Sequence, residues 1–298
     1  MDVTRLDLGP ERDRRSIVRL IADGVLDARL ASLAWLLVGA RVPLVVAAGP
    51  SGTGKTVLLR ALLAFLPPAA QIATVAGAWE TWGWLPAAVR AELGVVAFGA
   101  TERAKPDARP LEVSEGVVVV PEFSMHLPGY SWGSIARTAI RLASMGYGLG
   151  ATIHADSLGE VLDELGGPGV GATPDELSAI GLVLVLRAVD GRLDERGRRR
   201  VVAAHFVRPL ARDAEGHVQR LPPAVLSTWD PVVDTFEDFS WGVLPELAAR
   251  IGRRPGDLEL EVDRRTEWLE ALVAGGVLGE DEVGAAISSY LGRPPARA

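Results

Sequence analysis

Lysine occurs at only two positions, Lys55 and Lys105, and the first of them closes the stretch GPSGTGKT, residues 49–56. That stretch satisfies G-x-x-x-x-G-K-[ST] in full. The spacing has a physical cause. Gly49, Gly52 and Gly54 permit a tight turn in which backbone N–H groups point inward, with Ser51 and Thr53 supplying the amides between them. A helix beginning at the end of the turn adds its positive dipole end. Lys55 then offers a point charge to the β- and γ-phosphates of ATP, and the Thr56 hydroxyl a ligand for Mg²⁺. The bland alternative is a glycine turn carrying an idle lysine. It leaves unexplained why the motif lies between an apolar strand-like run and an apolar helix-like run.

A second chemistry-bearing stretch is EGVVVVPEFSMH, residues 115–126. A run of valines ends on Pro121 and then on one carboxylate, Glu122. A carboxylate at the carboxyl end of a buried strand lies where open α/β sheets bind ligands. There it orients water on Mg²⁺ or polarises the attacking water, which makes Glu122 a candidate catalytic residue and metal partner. Pro121 fixes φ and removes an N–H, so it threatens to displace the acid. A third stretch, GATIHADS, ends another apolar run on His154; by the period of two, Thr152 shares its face. A surface glutamate and a packed histidine are the plain readings of the same residues.

The elements that must position these groups follow from periodicity. Apolar residues three and four apart predict helices over 16–24 and 26–40. PLVVAA (43–48) predicts a strand covered on both faces. The apolar stretch 30–49 has the length of a membrane span, but Arg41 and Pro43 interrupt it, and helix followed by strand accounts for it better. Further strands are expected at 71–76, 94–98, 116–120 and 149–155, with helices at 57–66, 134–146 and 157–166. A hairpin is expected from 181–189 and 200–207. Alternating strands and helices imply an α/β fold with a mainly parallel sheet. The expected organisation is a short helical lead-in (1–42), a core (43–230) and a small all-helical C-terminal region (231–298).

Composition narrows the classes. The chain has 298 residues, 48% hydrophobic and 23% charged, which suits a globular protein. A net charge of -7 argues against broad nucleic-acid binding. There is no cysteine, so disulfides and thiolate metal sites are impossible. The first fifteen residues are charged and show no secretory h-region.

GPSGTGKT, VVVVPE and GATIHADS, in this order and at these separations, resemble the secretion ATPase superfamily, the motors of type II and type IV secretion, type IV pili and the archaeal flagellum. The tail, WDPVVDTFEDF with RRTEWLEALVAGGVLGEDEVGAAISSYLG, looks most like the archaeal branch. The resemblance covers roughly residues 17–292. It implies a RecA-like P-loop NTPase core that binds ATP and Mg²⁺, with Glu122 as the Walker B acid and His154 as the His-box histidine. It implies a homo-hexamer working against a polytopic membrane platform protein, hence a cytoplasmic chain peripheral at the inner face of the membrane. No specific nucleic-acid partner is expected.

Several positions depart from the family's pattern. Of the acids that usually follow the second strand, two are replaced by Ala76 and Gly77, and only Glu80 matches, as a further catalytic candidate. Pro121 stands for a glycine, Ser124 for an arginine and Tyr147 for a histidine. The residues before Gly49 would supply little of the family's N-terminal domain. Arg103, Arg109, Arg137 and Arg141 are candidates for charge donated across a subunit boundary. The alternatives are therefore an ATP-driven motor, a degenerate paralogue that binds nucleotide without turnover, and an unrelated phosphate-loop enzyme such as a small-molecule kinase. The tryptophan-rich AWETWGW reads as core packing or a contact surface, and DGRLDERGRRR as a solvated hairpin tip or a contact for anionic lipid.

Overall fold

The computed structural model describes residues 14–49, 51–95, 110–194, 197–212, 215 and 217–292. Two short helices lead in, α1 (Ile17–Ala22) and α2 (Ala28–Gly39). Asp27 caps α2 by accepting from the Leu30 amide at 2.8 Å. Arg41 then turns the chain at a φ of 58° and Pro43 delivers it into β1 (Leu44–Ala47). The apolar stretch is thus a helix and a strand, and no described helix is long and apolar enough to cross a membrane.

The chain continues through α3 (Lys55–Leu63), β2 (Gln71–Thr74), α4 (Ala87–Leu93), β3 (Gly116–Phe123), α5 (Gly133–Ser144), β4 (Gly148–Ile153), α6 (Leu158–Gly166), α7 (Pro174–Leu177), β5 (Leu182–Ala188) and β6 (Arg199–Phe206). After a small two-stranded ribbon, β7 (Ala211–Arg212) with β8 (Val218–Gln219), come β9 (Ala224–Asp230) and β10 (Thr235–Asp238). Three helices close the chain: α8 (Leu244–Arg250), α9 (Pro255–Ala274) and α10 (Glu280–Leu291).

One eight-stranded sheet runs β10-β9-β6-β5-β1-β4-β3-β2. From β5 to β2 every pairing is parallel; β6, β9 and β10 are added antiparallel. The fold is α/β with a mixed, mainly parallel sheet. Side-chain alternation sorts the core into two halves. Leu44 and Val46 of β1, with Val117 and Val119 of β3, face α1–α3 and the C-terminal helices. Val45, Ala47, Val118 and Val120 face α5, α6 and α7. Burial on both faces explains the unbroken valine run.

The region after residue 230 is not all-helical as expected: the sheet continues into it through β10, which pairs Thr235 with Asp230. The C-terminal helices share one core with α1, α2 and α3: Leu258, Val262, Leu269, Val283 and Ile287 are all buried against it. Of the strand expected at 94–98, residues 96–98 lie outside the described residues, and Gly94 caps α4 in the left-handed conformation.

Candidate functional site

The sheet order places the carboxyl ends of β1, β4 and β3 side by side, β4 in the middle. The three chemistry-bearing stretches follow these three strands. The glycine loop leaves β1, His154 leaves β4, and Glu122 ends β3. Parallel strands bring their carboxyl ends to one edge, so segments far apart in sequence converge there.

The loop enters α3 without a side-chain cap. Gly52 has a φ of 80°, and Gly54, the N-cap, a φ of 101°. Side chains rarely adopt such values, which is why glycine is needed there. Lys55 opens the helix and is only 5% exposed. Its Nζ lies 3.5 Å from the Ala48 carbonyl and 3.7 Å from Glu122 Oε1. Burial lowers its pKa below that of an ordinary lysine, and the Glu122 charge offsets part of that effect.

Pro121 explains how Glu122 is aimed. The β3–β4 register shifts between Val120, opposite Ala151, and Phe123, opposite Ile153. Pro121 and Glu122 together face the single residue Thr152. This is a β-bulge, a place where a missing ladder N–H is tolerated and a side chain is redirected. The Thr152 hydroxyl sits within hydrogen-bond reach of both the Pro121 carbonyl and Glu122 Oε2, the latter at 2.8 Å. Behind it the Ser131 amide donates to the Glu122 carbonyl at 2.9 Å, anchoring the following loop. The proline therefore directs the acid toward Lys55.

Glu122 is 6% exposed, yet its Oε1 has no hydrogen-bond partner. It lies 3.7 Å from Lys55 Nζ and 3.8 Å from His154 Nε2, beyond bonding distance of either. His154 Nδ1 is 2.6 Å from the Gly49 carbonyl, which can only accept, so Nδ1 carries a proton and Nε2 faces the acid. Asp156 accepts from the Gly49 amide at 3.1 Å. Both polar groups of Gly49 are thus held by the segment after β4.

Ser51, Gly52, Thr53, Gly54, Lys55, Thr56 and Glu122 line one cleft of about 470 Å³. Arg15 and Tyr130, which belong to none of the motifs, line it as well. So do Leu193 and Arg199 of the run DGRLDERGRRR, expected as a solvated tip or a lipid contact. No local pattern tells which tip folds over a loop.

Other candidates are placed elsewhere. Glu80 spends its carboxylate on its own turn: Oε2 accepts from the Ala76 amide at 2.9 Å, and Oε1 from the Trp82 amide at 2.6 Å and Trp84 Nε1 at 3.1 Å. Like Gly49 and His154, it is not among the residues of the cleft wall, and unlike His154, which lies 3.8 Å from Glu122, it makes these hydrogen bonds to residues outside that wall. Gly77, where the resemblance calls for an acid, has a φ of 58°, and a Cβ there would sit 2.5 Å from the Pro128 carbonyl oxygen. Tyr147 is buried and donates to the Leu111 carbonyl at 2.8 Å, and Ser124 Oγ accepts from the His126 amide at 3.2 Å. Arg137 and Arg141 both reach Glu176 of their own chain, at 3.2 and 3.7 Å. Arg103 and Arg109 lie outside the described residues. In the tryptophan stretch, Trp82 packs in the core while Trp79 is 67% exposed.

Chemically, the cleft offers a cation, an underused buried carboxylate, a hydroxyl and the N–H groups at a helix start, which have no intrahelical partners. That set suits a polyphosphate. Among the described residues no cluster of three or more His, Asp or Glu stands ready to hold a metal ion on its own. Comparison with models of known protein families finds none that matches the chain, and comparison with curated proteins finds no match either.

Proposed function

We propose that this chain binds ATP with Mg²⁺ in the cleft above α3 and hydrolyses it, as the motor subunit of a type IV pilus, archaeal flagellum or secretion machine. The observation that carries the reading is Glu122 Oε1: a buried carboxylate oxygen without a hydrogen bond, between Lys55 and His154, at the mouth of a glycine loop. Burying such an oxygen unsatisfied is costly, and here it adjoins an open cleft beside a glycine loop, where a ligand could supply the missing partner.

In this reading the RecA-like core binds the phosphates through the backbone of Ser51–Gly54, with Lys55 neutralising charge and Gly49, held through both its polar groups by His154 and Asp156, anchoring the start of the loop. Thr56 and Glu122 would hold Mg²⁺ together with phosphate oxygens and water, the usual manner for an ion that keeps much of its hydration. The metal would neutralise charge on the phosphates. Where Oε1 is not on the metal, Glu122 orients the attacking water and takes its proton. His154, held by Gly49 through Nδ1, presents Nε2 to the same region. Hexamer formation, docking on a membrane platform protein and a peripheral cytoplasmic location are part of the proposal and rest on the resemblance.

A second reading, a nucleotide-binding subunit that does not turn over, is favoured by one specific feature. The turn at 76–80 has no acid free to act, because Glu80 is engaged locally and Gly77 is pressed against residues 128–129. Phosphate release by the wild type and by Glu122→Gln separates the two. A motor should lose about a hundred- to a thousandfold in rate while retaining nucleotide binding. Equal background rates in both would leave the non-catalytic subunit.

A further inference from the structure

Arg199, the first residue of β6, makes a dense set of backbone contacts beside the cleft. Its Nε donates to the Thr53 carbonyl at 2.9 Å and its Nη1 to Gly197 at 2.8 Å. Its Nη2 is shared among the carbonyls of Leu193 at 3.0 Å, Asp194 at 2.9 Å and Gly52 at 3.4 Å. Its Cδ lies close enough to Gly54 that an added Cβ there would be 3.4 Å away. One guanidinium thus joins the glycine loop to the tip of the β5–β6 hairpin.

The consequence follows from peptide geometry. In a trans peptide the C=O of one residue and the N–H of the next lie in one plane and point in opposite directions. A cation holding the carbonyls of Gly52 and Thr53 therefore turns the N–H groups of Thr53 and Gly54 away from itself. Those two amides belong to the turn that leads into α3. The guanidinium's fork geometry suits several carbonyls at once, which an ammonium cannot match. Its donors are largely committed to carbonyls, so its contribution is orientation of the loop rather than direct capture of an anion.

We infer that Arg199 is a positioning residue that sets the peptide planes of the glycine loop for polyphosphate binding, with the hairpin tip as its support. This rests on the proposed nucleotide site and extends it to a residue outside the three motifs. The test is titration calorimetry of the full chain, with Mg²⁺, against AMP, ADP and a non-hydrolysable ATP analogue. Arg199→Ala should weaken ADP and the ATP analogue by about tenfold or more, because the loop amides are no longer preset. AMP should be affected much less. Arg199→Lys should fall between, and it carries the same comparison if Arg199→Ala does not fold. Unchanged ADP affinity in the variants, or equal weakening of all three nucleotides, overturns the positioning role. A wild type that binds none of them overturns the nucleotide site itself.

Discussion

Lys55 and Arg265 are both cations pressed into the interior, each near one glutamate, and they behave as opposites. Lys55 Nζ is 3.7 Å from Glu122, and Arg265 Nε is 3.5 Å from Glu261. Burial lowers the pKa of both. Arg265, however, lies under aromatic rings: its Cζ is 4.4 Å from the Trp35 ring centre and 5.6 Å from that of Tyr290. Trp35 in turn stacks on Phe65 at 4.7 Å. A planar, weakly hydrated guanidinium is well accommodated by ring faces. That box fills its own space and fastens α9 and α10 onto α2 and the end of α3. Lys55 has a compact charge and a cleft beside it. Both sites leave a buried polar atom without a hydrogen bond, Arg265 Nε in one and Glu122 Oε1 in the other, so it is the open volume beside Lys55 that separates them.

Mutations at the two cations should separate binding from stability. Lys55→Ala is expected to weaken ADP binding by about a hundredfold or more, read by calorimetry, since it removes the charge facing the phosphates. Arg265→Ala should leave ADP affinity unchanged and lower unfolding stability in urea by about 2–3 kcal/mol, through lost ring contacts and packing. Loss of nucleotide affinity in Arg265→Ala equal to that in Lys55→Ala would erase the distinction. Thr152→Val takes away the hydroxyl that bonds Glu122 and bridges the bulge. It should cost about 1–2 kcal/mol of stability and reduce ATP turnover more than ADP affinity.

The smallest expected effect is on pH dependence. On the proposed reading a polyphosphate needs Lys55 as the ammonium, and burial holds the Lys55 pKa below the ordinary lysine value. If nucleotide binds here, ADP affinity should therefore begin to fall at a lower pH than an ordinary lysine would dictate; Lys55→Arg should remove that fall. Stability of the free chain should move the other way. The cost of burying the ammonium is present below the folded pKa and lessens as pH rises from there toward the unfolded value, so this group's contribution becomes less unfavourable. Parallel slopes for binding and stability would mean that another group governs the titration.

Much of the framework was legible because it is written in local patterns. The valine run of β3, the apolar runs of β1 and β4, and the three- and four-residue spacing in α2 and α5 each encode their own burial. The β9–β10 pair is not written in a clean alternation, since the adjacent Leu226 and Ser227 are both buried. Its strands are edge-ward and partly exposed, so the apolar signal is weak. Pro121 read as a threat to the acid beside it, whereas it marks the bulge that aims that acid. Glu80 matched a pattern by position, yet its nearest donors are in its own turn, and proximity along the chain prevailed.

By itself the sequence determined that a glycine loop, a carboxylate and a histidine follow or end three buried strands, because motif spacing and burial period are properties of short segments. Only the tertiary structure decided that the ends of β1, β4 and β3 are neighbours, that a bulge turns Glu122 toward Lys55, and that Arg199 reaches back to the glycine loop. Those outcomes depend on strand order and on contacts across more than a hundred residues, fixed by the packing of the whole sheet rather than by any local pattern.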